Sequence, residues 1–306
     1  MLRVIHVFDC GSVRINSAAF SSDGILFASA SDNGTIRLWH ANGALQQTLN
    51  GHDKPVDWVT FSPNSKLLMS ASDDDYTLRL WNVDDGTVQE LVGYSGPVAF
   101  SPDGTARASC SGEGRVKLWG AVSKTLEVGQ PLAVTPRSKR HHQVLDGWPD
   151  VTALAFSPNG SLLACGYDNG MLKLWEMVSG YADDHPGHED AIIALAFSQD
   201  GTIIASASHS GTIRLWDIRQ ACYTFQLQGS WVGVHYLAFS ADGKLLASAS
   251  FDKQIRLWDL AQKKLLCEVK AAGAICALSF LRSIRVGVCN DQAQGSYSIN
   301  ICEITI

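Results

Sequence analysis

Cysteine, histidine and the carboxylates are the side chains best able to act as nucleophile, base or metal ligand. Their spacing argues against most such roles here. Eight cysteines stand at positions 10, 110, 165, 222, 267, 276, 289 and 302, and none belongs to a Cys-x-x-Cys pair. Zinc and disulfide frameworks have clustered ligands, so no metal and no disulfide is expected. Several of these cysteines lie beside Ala and Val in apolar runs, as small buried hydrophobes in a reducing compartment do. His141-His142 lies in the basic run 137–142 and is not taken as a metal pair. The chain has no GxxxxGK[ST] phosphate loop, no GxSxG nucleophile elbow and no HExxH zinc helix. Its carboxylates are dispersed through turn positions, where they cap and solubilise. By spacing alone there is no catalytic constellation, and no cofactor is expected.

The elements that must position any site come from a repeat. The stretch Leu195–Ile218, LAFSQDGTIIASASHSGTIRLWDI, recurs along the chain. Its closing Trp appears at Trp39, Trp81, Trp119, Trp175, Trp216 and Trp258, at steps of 42, 38, 56, 41 and 42 residues. In a final, decayed copy Cys302 holds that place, 44 residues after Trp258. A period near 40 with a Trp-Asp end signals four-stranded sheets repeated around a ring. Each repeat gives an inner strand ending in Phe (20, 61, 100, 156, 197, 239, 280) and a turn such as Ser-Pro-Asp-Gly at 101–104. A small-residue strand, an Ile-Arg-Leu-Trp strand and a more polar outer strand follow. Leu2–Phe8 alternates apolar and polar residues, and the last repeat supplies only three strands before the chain ends. Strand 2–8 is therefore expected to complete the last blade and remove its unpaired edge.

The Trp, the Gly-His before the inner strand and the Asp of the second turn together resemble the WD-repeat β-propeller family, over the whole chain. The near-identical, Ala/Ser-rich repeats further resemble the C-terminal propellers of fungal and bacterial NACHT-type signalling proteins. The expected fold is all-β: a seven-bladed propeller of four-stranded antiparallel blades, closed by strand 2–8 in the C-terminal blade. It is expected as one domain, 1–306, with the seventh blade shared between 2–8 and 274–304 and an irregular insertion at about 123–146. The resemblance implies a hydrogen-bonded structural tetrad, which the second repeat matches fully as His52, Ser70, Asp75 and Trp81. That role accounts for His52 and Asp75 without catalysis. The fifth repeat has Ser210 for the Asp, and the sixth keeps Ser248, Asp252 and Trp258 without a His. The third repeat is three residues short between Tyr94 and Phe100, so its inner strand is expected to be truncated.

What remains is a surface. The loops before each inner strand and between second and third strands share one face of a propeller. Here they carry Trp58, Tyr76, Tyr94, Trp148, Tyr167, His209, Trp231, His235 and Phe251. Exposed aromatics are costly and mark binding hot spots; about half of these are expected to be exposed. By the family resemblance, Asn16, Asp57, Gly96, Thr152, Ile193, His235 and Cys276 approach the channel mouth, a partly polar ring suited to an arginine, a lysine or a small polar ligand. The expected function is a non-enzymatic scaffold binding a protein or peptide at this face, including Asp57, or the sensor part of a larger signalling protein. Two alternatives stay open. One is an enzyme at the channel mouth, with Asp57 or His235 as base and Cys276 as nucleophile. The other is a small-molecule or glycan binder stacking on Trp148 or Trp231. A net charge of −6 argues against nucleic acid. No apolar run approaches the ~18–20 residues of a membrane span, and no secretion signal is evident, so a soluble cytoplasmic protein is expected.

Overall fold

The computed structural model describes residues 2–92, 96–111, 115–120, 150–179, 182–220, 222–280, 283–292 and 296–304. Within them all regular structure is β-strand. After β1 (Leu2–Gly11), strands β2 (Ile15–Phe20), β3 (Leu26–Ser31), β4 (Thr35–His40) and β5 (Leu45–Asn50) pair in order as an antiparallel sheet. The next sheet is β6 (Trp58–Phe61), β7 (Leu67–Ser72), β8 (Thr77–Asn82) and β9 (Val88–Val92). Then come β10 (Val98–Phe100), β11 (Ala106–Ser111) and β12 (Arg115–Gly120), in a sheet of three strands. Three further four-stranded sheets follow: β13 (Val151–Phe156) to β16 (Ala182–Pro186) through β14 (Leu162–Tyr167) and β15 (Met171–Glu176); β17 (Ile192–Phe197) to β20 (Cys222–Gln228) through β18 (Ile203–Ser208) and β19 (Thr212–Asp217); and β21 (Val234–Phe239) to β24 (Lys264–Lys270) through β22 (Leu245–Ser250) and β23 (Gln254–Asp259). Finally β25 (Ala274–Phe280), β26 (Ile284–Gln292) and β27 (Ser296–Ile304) pair in order, and β1 lies outside β27.

The architecture is a propeller of four-stranded blades, but the expected seven such blades are corrected to six. The exception is the sheet β10–β12. Its inner strand has only three residues, shorter than any other inner strand, as the shortened third repeat implies. The insertion at about 123–146 lies outside the described residues, as do Tyr94 and Trp148. Each innermost strand packs on the next, from β2 through β6, β10, β13, β17 and β21 to β25, and β25 returns to β2.

Composition explains the spacing of the blades. The second strands carry alanines with no exposed surface, such as Ala28, Ala30, Ala205, Ala207, Ala247 and Ala249. Larger apolar side chains from the neighbouring blade fill the space above them. Leu26, Ile36 and Leu38 share one cluster with Val56, Phe61, Leu68 and Trp81 of the next repeat. The turn after each of the first six inner strands is fixed by a buried serine. Ser21 Oγ donates to Asp23 (2.6 Å) and accepts Leu26 N (2.8 Å); Ser62, Ser101, Ser157, Ser198 and Ser240 repeat the arrangement with Asn64, Asp103, Asn159, Asp200 and Asp242. The turn needs a positive φ, met by Gly24 (71°) and in the second blade by Ser65 (59°).

The chain ends meet in an antiparallel ladder running from Leu2↔Ile304 to Gly11↔Tyr297. It delivers Phe8 into the next blade, where the ring stacks on Phe27 (5.5 Å between centroids) and meets Trp39 at 5.1 Å. Truncation of a buried Phe costs about 3–5 kcal/mol. Phe8→Ala is expected to lower the unfolding free energy measured in urea by that order, whereas Val7→Ala, at a side chain 58% exposed, is expected to stay within about 0.5 kcal/mol of wild type.

Candidate functional site

The tetrad forms in the second blade as the resemblance implied. Trp81 Nε1 donates to Ser70 Oγ (2.8 Å), and Ser70 Oγ lies 2.7 Å from His52 Nε2. His52 Nδ1 is 3.1 Å from Asp75 Oδ2. A member that the sequence reading missed is Thr77, whose hydroxyl donates to Asp75 Oδ1 (2.6 Å) and sits 3.1 Å from His52 Nδ1. Burial lowers the pKa of His52. Burial alone would raise that of Asp75, but hydrogen bonds from Thr77 and His52 bring it below the usual value. A neutral histidine that accepts from one neighbour and donates to the other satisfies every buried polar atom of the set.

In the fifth repeat His188 bonds Ser206 (2.8 Å) and Thr212 (2.8 Å), and Trp216 donates to the same Ser206 (2.8 Å). Thr212 thus serves in place of the missing Asp. In the sixth, Trp258 donates to Ser248 (2.9 Å), and Ser230 occupies the histidine position and donates to Asp252 (2.8 Å).

The expected channel-mouth residues turn out to share a backbone feature. In five inner strands the register slips at that residue: around Asn16, Thr152, Ile193, His235 and Cys276. Each is the extra residue of a β-bulge, which re-aims its side chain out of the ladder. The polar ones are then used to tie blades together. Thr152 Oγ1 donates to Ile192 O (2.5 Å), His235 Nε2 to Ile275 O (3.1 Å) and, at the limit of a hydrogen bond, Asn16 Nδ2 to Val56 O (3.5 Å). Every acceptor is the carbonyl just before the next blade's corresponding residue. Tyr236 Oη adds a tie to Cys276 O (2.7 Å).

These ties bear on the catalytic alternative. The His235 Nε2 proton is committed to a backbone carbonyl. Cys276 is buried, and that burial, together with neighbouring Cys289, pushes its thiol well above the ordinary range, away from a reactive thiolate. Asp57 accepts Asp73 N (3.0 Å) in another sector. The structure does not bring these three side chains together. Seven cysteines among the described residues are free thiols, and the described residues contain no group of three or more potential metal ligands. No helix among them is long and apolar enough to cross a membrane.

The loop aromatics divide. Tyr167 is buried (6% exposed), with Lys173 Nζ 5.8 Å from its ring centre. Trp58 is half-buried. Tyr76 (61%), Phe251 (56%) and Trp231 (90%) are exposed, as is His209. Four of the predicted positions gather between the fifth and sixth repeats. His235 stacks on Phe251 (4.4 Å, 14°), and His209 meets the same ring edge-on at 6.0 Å. Gly233 lies beneath: a Cβ there would come within 3.0 Å of His209, Phe251 and Ile193. Trp231 and the exposed Val232 stand on that same loop. A second sector, on the first and second repeats, is acidic. Burial and then the charges of Asp73, Asp74 and Asp32 raise the pKa of Asp57.

The sequence matches the family described as WD domain, G-beta repeat, at residues 2–40, 43–82, 86–120, 139–176, 182–217 and 221–259. The chain belongs to the WD40 family. Among curated proteins it is similar to pre-mRNA-processing factor 19 homolog 2 of Arabidopsis thaliana (26% identical over 176 residues, 54% of this chain and 30% of that protein). It is likewise similar to a guanine nucleotide-binding protein subunit beta of Zea mays (26% over 175 residues, 56% and 33%). The similarity thus spans about a third of each relative's length. Among solved structures, the β-propeller domain of Myceliophteria thermophila Cps50 (Swd1) superposes with a TM-score of 0.81 over 100% of both chains at 18% identity, a likeness of fold.

Two outcomes test the tetrads. Ser70→Ala removes the shared oxygen between Trp81 and His52 and is expected to cost about 1–3 kcal/mol by urea unfolding. Burial and the Arg214 charge hold His188 at a pKa of about 4, below its ordinary 6.5. The unfolded chain therefore binds more protons between those values, and stability falls as pH drops from 6.5 towards about 4. Unfolding free energy measured across that window is expected to decline on acidification, and less steeply in His188→Gln.

Proposed function

We propose that this WD40 propeller is a non-enzymatic interaction module that binds a protein or peptide on the face carrying Trp231. The observation that carries the reading is the exposure of that indole, on one loop with Val232 and with Gly233, against which Phe251 and His209 pack. Ordered aromatic surface supported by a rigid frame is the usual anchor of a protein interface. Asp32, Asp73 and Asp74, exposed on the same set of loops, and Asp57 beside them supply negative potential elsewhere on the face. A partner with an apolar or aromatic anchor and a basic residue suits both sectors. Tyr76 and Trp58 remain within the proposed face as further contacts; the buried Tyr167 does not. An acidic protein offers little to a polyanion, so the proposed partner is protein, not nucleic acid. The Ala/Ser-rich repeats, similar to the C-terminal propellers of NACHT-type proteins, extend the proposal: the module would then be the sensor or autoinhibitory part of a larger signalling protein.

The test compares capture from an extract of source cells by wild type and by Trp231→Ala/Phe251→Ala. Both side chains are exposed, so the variant is expected to keep the wild-type melting temperature while losing at least most of its captured partner. Tyr223→Ala, at an exposed outer-strand position, is the control expected to bind normally. An unchanged bound set in the double variant would overturn the assignment to this face.

A further inference from the structure

A cavity of about 350 Å³ lies on the other face of the molecule, at the seam where the chain ends meet. Its walls combine β1 with β26 and β27 of the last blade and the turns around Gly24 and Asn42 of the first. The interior is aromatic and aliphatic. Phe8, Phe20 and Phe27 form one side, with Phe20 and Phe27 at 5.0 Å and Phe8 and Phe27 at 5.5 Å. Ile5, Leu26 and Ile301 complete it.

The backbone is adapted to this cavity. In a regular strand consecutive side chains point to opposite faces, yet consecutive Ile5 and His6 both line the space. The reason is a bulge. Val4 pairs with Cys302 and His6 with Ile301, leaving Ile5 as the extra residue. The one fully charged group on the wall is Arg285. It donates Nη1 to Gly24 O (3.0 Å), which fixes the guanidinium at the rim. It makes no ion pair among the described residues. Glu303 stands opposite it in register but accepts the Ser283 hydroxyl. The rest of the guanidinium fork is left for an anion, and a carboxylate matches that fork best. His6 and Asn42 add hydrogen-bonding groups at the same rim. A volume near the lower end of ligand pockets, walled by apolar rings with a few convergent polar groups, is the form of a small-molecule site.

The geometry points to a binding site for a small aromatic carboxylic acid, its ring against the half-buried Ile5 and Phe20, over the packed Phe8 and Phe27, and its carboxylate on Arg285. The site is independent of the Trp231 face. Calorimetric titration of the full chain with 4-phenylbutyrate tests it, against the uncharged 4-phenylbutyramide and a short peptide ending in a free Phe carboxylate. The acid is expected to bind, with the amide about tenfold weaker. Arg285→Gln is expected to erase the difference between acid and amide. Ala41→Leu, which fills the cavity without touching the guanidinium, is expected to abolish binding at an unchanged melting temperature, and Trp231→Ala to leave it intact. Equal affinity for acid and amide, binding that survives Ala41→Leu, no heat from the acid at millimolar concentration, or binding of the peptide alone would each overturn the assignment.

Discussion

The pairing of β1 with β27 is the constraint on which the rest depends. A ring of sheets has no free radial edge only while its first and last strands share one blade. Here that blade takes its inner three strands from one end of the sequence and its outermost strand from the other. The pairing stabilises more than the backbone. It carries Phe8 and Cys10 into the cluster of Ile15, Phe27 and Trp39, so ladder and core form together. The Val4/His6 bulge and the cavity beside it lie at this seam, where strands distant in sequence must match.

The blade itself was legible in the sequence because its determinants are local. The Ser-x-Asp/Asn turns, the alanine strands and the Trp closures are set within a few residues, and each folds as its composition implies. The tetrad at His52, Ser70, Asp75 and Trp81 was equally readable. Its Thr77 member was missed for want of a distinctive residue type, although Thr212 recurs at the same place. The number of four-stranded blades was misjudged because a repeat count does not show whether the shortened third repeat builds a full sheet. The count from the family match also stops at 259, before the decayed last copy whose Cys302 stands in for Trp.

Five of the seven positions assigned to the channel mouth are equivalent in the structure, each the extra residue of a bulge. Asn16, Thr152, His235 and Cys276 are brought to equivalent places by bulges, as the repeat alignment implies. What the residue types did not reveal is the geometry of the neighbouring blade, whose carbonyl lies within reach of each polar side chain. Asn, Thr and His bond it, and the burial of Cys276 keeps its thiol protonated. Tyr167 failed for a related reason. Its loop position suggested exposure, yet it packs with Cys110, Val151 and Cys165 between adjacent sheets. Periodicity reports the strand on which a residue sits, whereas burial at a blade junction depends on a partner about 40 residues away.

The departures from the tetrad connect the frame to the proposed interface. In the sixth repeat the histidine is replaced by Ser230, whose short side chain is buried and bonds Asp252. Ser230 Oγ also accepts Val232 N (3.1 Å), and Ser230 N donates to Gly211 O (3.0 Å). The loop is thereby fixed on both sides of Trp231 while the indole itself projects. Gly211, at φ 85°, permits this close approach, since a Cβ there would collide with Ser230 O and Val232 O. Exposed indole costs solvation free energy, and a loose loop would let it fold back onto the apolar surface. Holding the backbone by Ser230 and Gly211 keeps it presented, with the ordering entropy already spent before a partner arrives. The glycine contact is common to repeats that keep the histidine, as at Gly170 and His188; what Ser230 adds is a hydroxyl that binds Asp252 and Val232 N on either side of the presented tryptophan.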